Sequence, residues 1–175
     1  MADWNSNQYL KFEKERAQPS ADLISRLSDI NPSRVLDIGC GPGNSTNLLA
    51  KRFKDAEILG VDSSDNMLEK AKATYPDFSF KKCILPNDFD KIDGKFDLIF
   101  SNACIHWIKE QELLIKSALI NLKSAEYLRC RYHLSKMRRF TKCYINSLMK
   151  SGKSYRVFAI FIIFCLKNIM IYSAV

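Results

Sequence analysis

The sequence predicts an α/β domain, a parallel sheet covered by helices on both faces. Three observations carry this. Short apolar runs alternate with segments of helical spacing over most of the first 122 residues. A glycine-rich loop, Gly39-Cys40-Gly41-Pro42-Gly43, joins the first apolar run to a helical segment. An acid, Asp62, closes the second run 19 residues after Gly43.

The elements follow in order. Tyr9, Phe12, Glu13 and Arg16 lie three or four apart and suit one face of a short helix. Ser20 is a candidate cap for a helix carrying Leu23, Ile24, Leu27 and Ile30, which Pro32 would stop. Arg34–Ile38 reads as a buried strand, and Asn44 or Ser45 as the cap of a helix through Leu48, Leu49 and Phe53. Glu57–Asp62 is a second strand, followed by a helix capped by Ser64 and carrying Met67, Leu68 and Ala71. Phe78-Ser79-Phe80 begins a third strand, and residues 95–101 form a fourth. A helix over 110–122 presents Leu113, Leu114, Ala118 and Leu122.

Composition excludes several classes. The 175 residues are 47% hydrophobic and 26% charged, which suits a globular domain and not a disordered chain. No run of about 18 apolar residues could cross a membrane, and the first residues lack the layout of a secretory signal, so a cytoplasmic location is expected. The six cysteines, at 40, 83, 104, 130, 143 and 165, form no metal-ligand or disulfide spacing. The net charge of +8 is unevenly placed. Residues 1–126 hold all 19 Asp and Glu, whereas the last 49 residues hold 10 Lys and Arg and no acid. The folded part is therefore not basic, and no nucleic-acid or membrane partner is expected.

The glycine loop carries the chemistry. Glycines permit a sharp turn and close approach of a ligand to the backbone. The spacing is G-x-G-x-G, not the G-x-G-x-x-G of dinucleotide binders. Pro42 removes a backbone donor that a pyrophosphate would use, so a ligand without phosphates fits better. Asp62 stands where an acid accepts the hydroxyls of a ribose. Loop and acid together point to a nucleoside ligand.

At these residues the chain resembles the S-adenosylmethionine-dependent methyltransferases, and within them the trans-aconitate 2-methyltransferase group. The matching segments are Asp3-Trp4-Asn5, Tyr9, Phe12, Glu15-Arg16, Pro19, residues 21–23, 35–45 and 60–64, Met67-Leu68, residues 96–103 and His106-Trp107. The resemblance implies a Rossmann-like three-layer α/β/α sandwich of the class I methyltransferase type, incomplete at the C-terminus. It implies S-adenosyl-L-methionine as cofactor, no metal, and a small-molecule carboxylate substrate such as trans-aconitate. Gly39, Cys40, Gly41 and Gly43 would line the methionine part, Asp37 would hold the loop and the ammonium group, and Asp62, with Ser63 and Met67 beside it, would bind the ribose. Asn102 and Ala103 would border the transferring methyl. The N-terminal segment with Trp4, Tyr9 and Arg16 would fold over the site. His106 is expected to be structural or to orient substrate, and Trp107 to belong to the core or wall the pocket. The chain departs from the family at Cys83, where an Asp often contacts adenine, and at Ser124-Ala125-Glu126, where a glycine pair is usual.

Residues 1–128 are therefore expected to form the cofactor-binding domain, with 1–17 as a lid segment. From 129 on, the chain is expected to be out of frame, the product of a one-base deletion near codon 129. Restoring one base lets Arg129 to Leu134 read Ala-Val-Gln-Ile-Pro-Leu, the family's continuation. The missing acids fit, as do the five prolines, all of which precede residue 87. The alternative to an active enzyme is a non-catalytic, cofactor-binding remnant. The apolar run 158–165 reads as a strand or a buried helix piece.

Overall fold

The computed structural model describes residues 13–25, 27, 30–131, 156–159, 162–165 and 168–171. Side chains are described for 19–25, 27 and 30–123. The elements are α1 (Glu13–Ser25), β1 (Arg34–Ile38), α2 (Asn44–Arg52), β2 (Glu57–Asp62), α3 (Asp65–Thr74), β3 (Ser79–Lys82), β4 (Phe96–Asn102), α4 (Gln111–Ile120), β5 (Leu122–Arg131), β6 (Arg156–Ala159), β7 (Ile162–Cys165) and β8 (Asn168–Ile171). One-turn 3-10 helices lie at Phe89–Lys91 and Ile105–Trp107.

β1 to β6 form one sheet in the order β3-β2-β1-β4-β5-β6. Every neighbouring pair in it is parallel. β7 and β8 make a separate antiparallel pair. The sheet is an α/β Rossmann-like sandwich, and the four strands read from the sequence are joined by two more. β5 runs across residue 128, where the sequence reading placed a domain boundary, and β6 lies within the tail. Strand pairing is carried by backbone groups, so it does not require the side chains expected of an in-frame continuation.

Alternation along the central strands sorts the core into two layers. Val35, Leu98 and Phe100 point one way, into Leu23, Ile24 and Leu27 of α1 and its continuation and Leu49 and Phe53 of α2. Leu36, Ile38 and Ile99 point the other way, into Ile105 and the Leu114, Ile115 and Ala118 face of α4. Asp37, between Leu36 and Ile38, therefore faces the α1–α2 layer.

Three helix boundaries differ from the sequence reading. α1 begins at Glu13 and carries Pro19 inside it, so Ser20 is a buried helical residue and not a cap; the helix ends at Ser25, well before Pro32. α2 is preceded by Gly43 at φ 91°, without a side-chain cap. Ser45 is occupied elsewhere, as described below. α4 ends at Ile120, because Leu122 already belongs to β5. The Ser64 cap is as expected: its hydroxyl accepts from the Met67 N–H at 3.4 Å.

The N-terminal edge of the sheet is tied by Asp97. Its Oδ2 accepts from the backbone N–H groups of Ser33 at 3.0 Å and Arg34 at 2.8 Å, and its Oδ1 meets Lys123 Nζ at 2.8 Å. Burial pushes the Asp97 carboxyl up, but the Lys123 ammonium and the two N–H donors outweigh it and hold the group below its ordinary value. The folded state thus binds this proton less readily than the unfolded chain, so the contribution is full above the ordinary carboxylate range and is lost as pH falls through the lowered value. Asp97→Ala should cost roughly 1.5–3 kcal/mol in urea unfolding at pH 7, because it orphans the partners of a charge-assisted acceptor. The gap to wild type should narrow toward pH 3; a gap independent of pH would place the carboxylate's effect elsewhere.

Candidate functional site

The strand order reverses between β1 and β4, and ligands of open parallel sheets bind at the carboxyl ends of the strands flanking such a point. The residues gathered there are Asp37, the loop 39–43, Asp62 at the end of β2, Asn102 at the end of β4, and Ala103 and Cys104 after it.

Asp37 is fully buried. Its Oδ2 accepts from the hydroxyls of Ser45 at 2.6 Å and Thr46 at 2.7 Å, both in the first turn of α2. Among the described residues its Oδ1 has no hydrogen-bond partner. Burial raises the carboxyl to about 6, against the pull of the two hydroxyls and with a further push from the Asp62 charge. The sequence reading marks Ser45 only as a candidate helix cap and does not mark Thr46. The signal was an acid inside an otherwise apolar strand, which needs donors from whatever packs on that face.

The loop consumes its own donors. Gly39 N–H and Cys40 N–H both reach the Val61 carbonyl, at 2.8 and 3.1 Å. Gly41 N–H donates to Asp62 Oδ2 at 2.9 Å, and Gly43 N–H to the Cys40 carbonyl at 3.0 Å. Pro42 has none. Such a loop offers no cradle of free N–H groups to a phosphate. Gly39, Gly41 and Gly43 sit at φ of 71°, 54° and 91°. The Cβ of any other residue at 39 would stand 2.3 Å from Cys104 Sγ, and at 43 it would stand 2.8 Å from the Tyr75 ring. Tyr75, absent from the sequence reading, also bonds Asn44 Oδ1 through its hydroxyl at 3.3 Å and accepts from Asn47 Nδ2 at 3.4 Å.

Asp62 does more than wait for a ligand. With Oδ2 on Gly41, its Oδ1 accepts from the Ser64 N–H at 3.0 Å. One carboxylate thus fastens the glycine loop to the β2–α3 turn, and each oxygen keeps a lone pair for a further donor.

Other predicted residues fall into place as follows. Ser63 is exposed in the turn after β2, and Met67 is buried in α3. Asn102 ends β4, and Ala103 follows at φ 56°, a left-handed conformation rare for alanine. The rings of His106 and Trp107 lie 5.0 Å apart and tilted, and Trp107 is 55% exposed, so it is not a core residue. Cys83 is buried beside the exposed Ile84. Burial, with the charges of Asp62 and Asp37, pushes the Cys104 thiol up to about 12, and burial raises Cys40 as well, so neither is a thiolate at neutral pH. Arg16 lies on α1, but its side chain, like Trp4 and Tyr9 entirely, is outside the described residues.

Asp37 has a testable signature. A raised carboxyl binds its proton more tightly when folded than when unfolded, so in ligand-free protein stability grows as pH falls from 7 through about 6 toward the ordinary value. The gain should reach at most about 3 kcal/mol. In urea unfolding, Asp37→Asn should abolish this dependence; a variant that keeps the wild-type slope would assign it to another group.

Comparison with known proteins agrees with the geometry. The family model described as "Methyltransferase domain" matches residues 35–125. Trans-aconitate 2-methyltransferase of Methylobacterium nodulans is 43% identical over 117 residues, 66% of this chain and 44% of that protein. The protein of the same name from Rhodopseudomonas palustris is 38% identical over 124 residues, 71% of this chain and 48% of that one. The chain thus matches less than half the length of these curated relatives. Among solved structures, an S-adenosylmethionine dependent methyltransferase from Mesorhizobium loti is similar with a TM-score of 0.52 at 25% identity, over 63% of this chain and 52% of that one. The family model covers more than half of the 175 residues, and its span holds the glycine loop, Asp37, Asp62 and the end of β4: the chain belongs to the methyltransferase domain family.

Proposed function

We propose that this chain is the S-adenosylmethionine-binding part of a methyltransferase that acts on a carboxylate of a small polycarboxylate, trans-aconitate being the first substrate to test. The observation that carries the cofactor reading is the unpartnered Oδ1 of buried Asp37 beside a loop with no donors to spare. A site of that polarity suits a hydrogen-bond-donating cation and disfavours a phosphate. The curated relatives named above support the substrate.

In this reading Asp37 takes the ammonium of the methionine part, along the loop formed by Gly39, Cys40, Gly41 and Gly43. Asp62 accepts the ribose hydroxyls on the lone pairs left by Gly41 and Ser64, with Ser63 and Met67 beside it. Asn102 and Ala103 flank the reacting end. S-Adenosylmethionine, when bound, supplies an activated methyl group. The chain's own task is alignment and exclusion of water, because a carboxylate is already a nucleophile and needs no base. Arg16 is the proposed cation for the polyanionic substrate, with Trp4 and Tyr9 closing over it, and His106 and Trp107 orient it.

Two measurements test the cofactor site. In isothermal titration with S-adenosylhomocysteine, Asp62→Ala should weaken binding by roughly 1.5–3 kcal/mol, the range for hydrogen bonds to a charged acceptor. Equal affinity would move the ribose elsewhere. An ammonium beside Asp37 favours the ionised carboxylate, so a protonated Asp37 must release its proton on binding. Affinity should therefore fall as pH drops from 7 to 5, through the value of about 6, and Asp37→Asn should flatten that dependence. A wild-type affinity constant over this range would remove Asp37 from the ammonium site.

A further inference from the structure

A second acceptor lies buried without a partner at the same crevice. Asn102 Nδ2 donates to Ser20 Oγ at 2.7 Å, while Asn102 Oδ1 is buried and, among the described residues, has no hydrogen-bond partner. Ser20 is itself buried, on α1. The register makes this contact informative. Asp37 pairs with Phe100 and Ile38 with Ser101, so Asn102 stands beside Gly39 and on the same sheet face as Phe100 and Asp37. Ser101, between them, points to the other face and fixes the end of β4 through its hydroxyl, which donates to the Ile38 carbonyl at 3.0 Å. Both unpartnered acceptors, Asp37 Oδ1 and Asn102 Oδ1, therefore face the layer in which α1 packs on α2. Their other ends are held by hydroxyls from those helices, Asp37 by two from α2 and Asn102 by one from α1.

A carboxamide has a donor end and an acceptor end of nearly equal size, and only its bonds decide which way it faces. A buried acceptor left open is costly unless something donates to it. We propose that Ser20 is a positioning residue: its hydroxyl accepts from Nδ2 and so holds the amide with Oδ1 as the end left open, where Oδ1 and Asp37 Oδ1 together receive the ammonium of an amino-acid-bearing ligand. The proposal rests on the S-adenosylmethionine reading above. It adds a selective element from a helix outside the glycine loop. A flipped amide would aim a donor at the cation and repel it.

The experiment compares two ligands on wild type and Ser20→Ala: S-adenosylhomocysteine, which carries the amino-acid part, and methylthioadenosine, which has the same nucleoside and no ammonium. Alanine is the better helix former, so α1 should persist in the variant, which thermal melting checks. Ser20→Ala should weaken S-adenosylhomocysteine about five- to tenfold, the effect of one hydrogen bond, and leave methylthioadenosine within about twofold. Equal loss for both ligands would mean that Ser20 only packs, and no loss for either would mean that it does not orient Asn102; each overturns the proposal. Wild type that binds methylthioadenosine as tightly as S-adenosylhomocysteine also overturns it, because no ammonium is then sensed. Wild type that binds neither ligand overturns the cofactor reading instead. In that case the Asn102 side-chain amide protons still decide the positioning role: slow hydrogen exchange in wild type and fast exchange in Ser20→Ala support it, and equal rates sink it. Were the variant to melt, wild-type protein would suffice. The Asn102 side-chain amide resonance should shift with S-adenosylhomocysteine and not with methylthioadenosine, and the reverse result would refute the proposal.

Discussion

A carboxylate buried in the middle strand of the sheet sets the terms for everything around it. Asp37 lies where an apolar residue would cost nothing, and an ionised group there without donors would cost several kcal/mol. Two hydroxyls in the first turn of α2 meet it. For Ser45 and Thr46 to arrive, the chain must turn sharply after β1, and the glycines at positive φ make that turn. The turn holds its shape because its N–H groups are tied to Val61, Asp62 and itself. Burial of one oxygen, the path of the loop and the start of α2 are therefore one structural decision.

That arrangement leaves the site with a definite polarity. Donors are used up inside the loop, and acceptors remain. It separates this loop from the phosphate-binding glycine loops it resembles at first sight, where free N–H groups face the ligand. The difference comes from Pro42 and from Asp62, whose carboxylate takes the Gly41 N–H. Asp62 also couples two turns from different strands, so a diol bound on it would feel any shift of the loop.

Much of this was legible in the sequence because burial and turn chemistry agreed there. β1 and β2 fall on the residues their apolar runs mark, each ended by glycine or an acid. Ser64 caps α3 as its place before the helical run implies, its hydroxyl accepting from the Met67 N–H. Ser45 looked equally fit to cap α2, yet its hydroxyl points back to Asp37, and Gly43 takes the cap position. Ser20 reads in sequence as a helix cap, whereas α1 carries Pro19 and Ser20 in its interior, and Ser20 becomes a partner for Asn102. The strand after α4 was hidden because Leu122 continues the helical spacing of the residues before it. In the site, the glycines and the two acids could be read locally. Ser20, Ser45, Thr46 and Tyr75 could not, because their roles exist only once distant segments meet.

The contact between Cys104 and Gly39 has a consequence for how sequences of this kind can vary. The sulfur fills the space where a side chain at 39 would begin, and the two residues come from different strand ends. Enlarging either one displaces the other, so neutral drift at position 104 is limited by the loop opposite, and the pair must change together or stay small. A library randomised at both positions at once should recover combinations that neither single-site library contains.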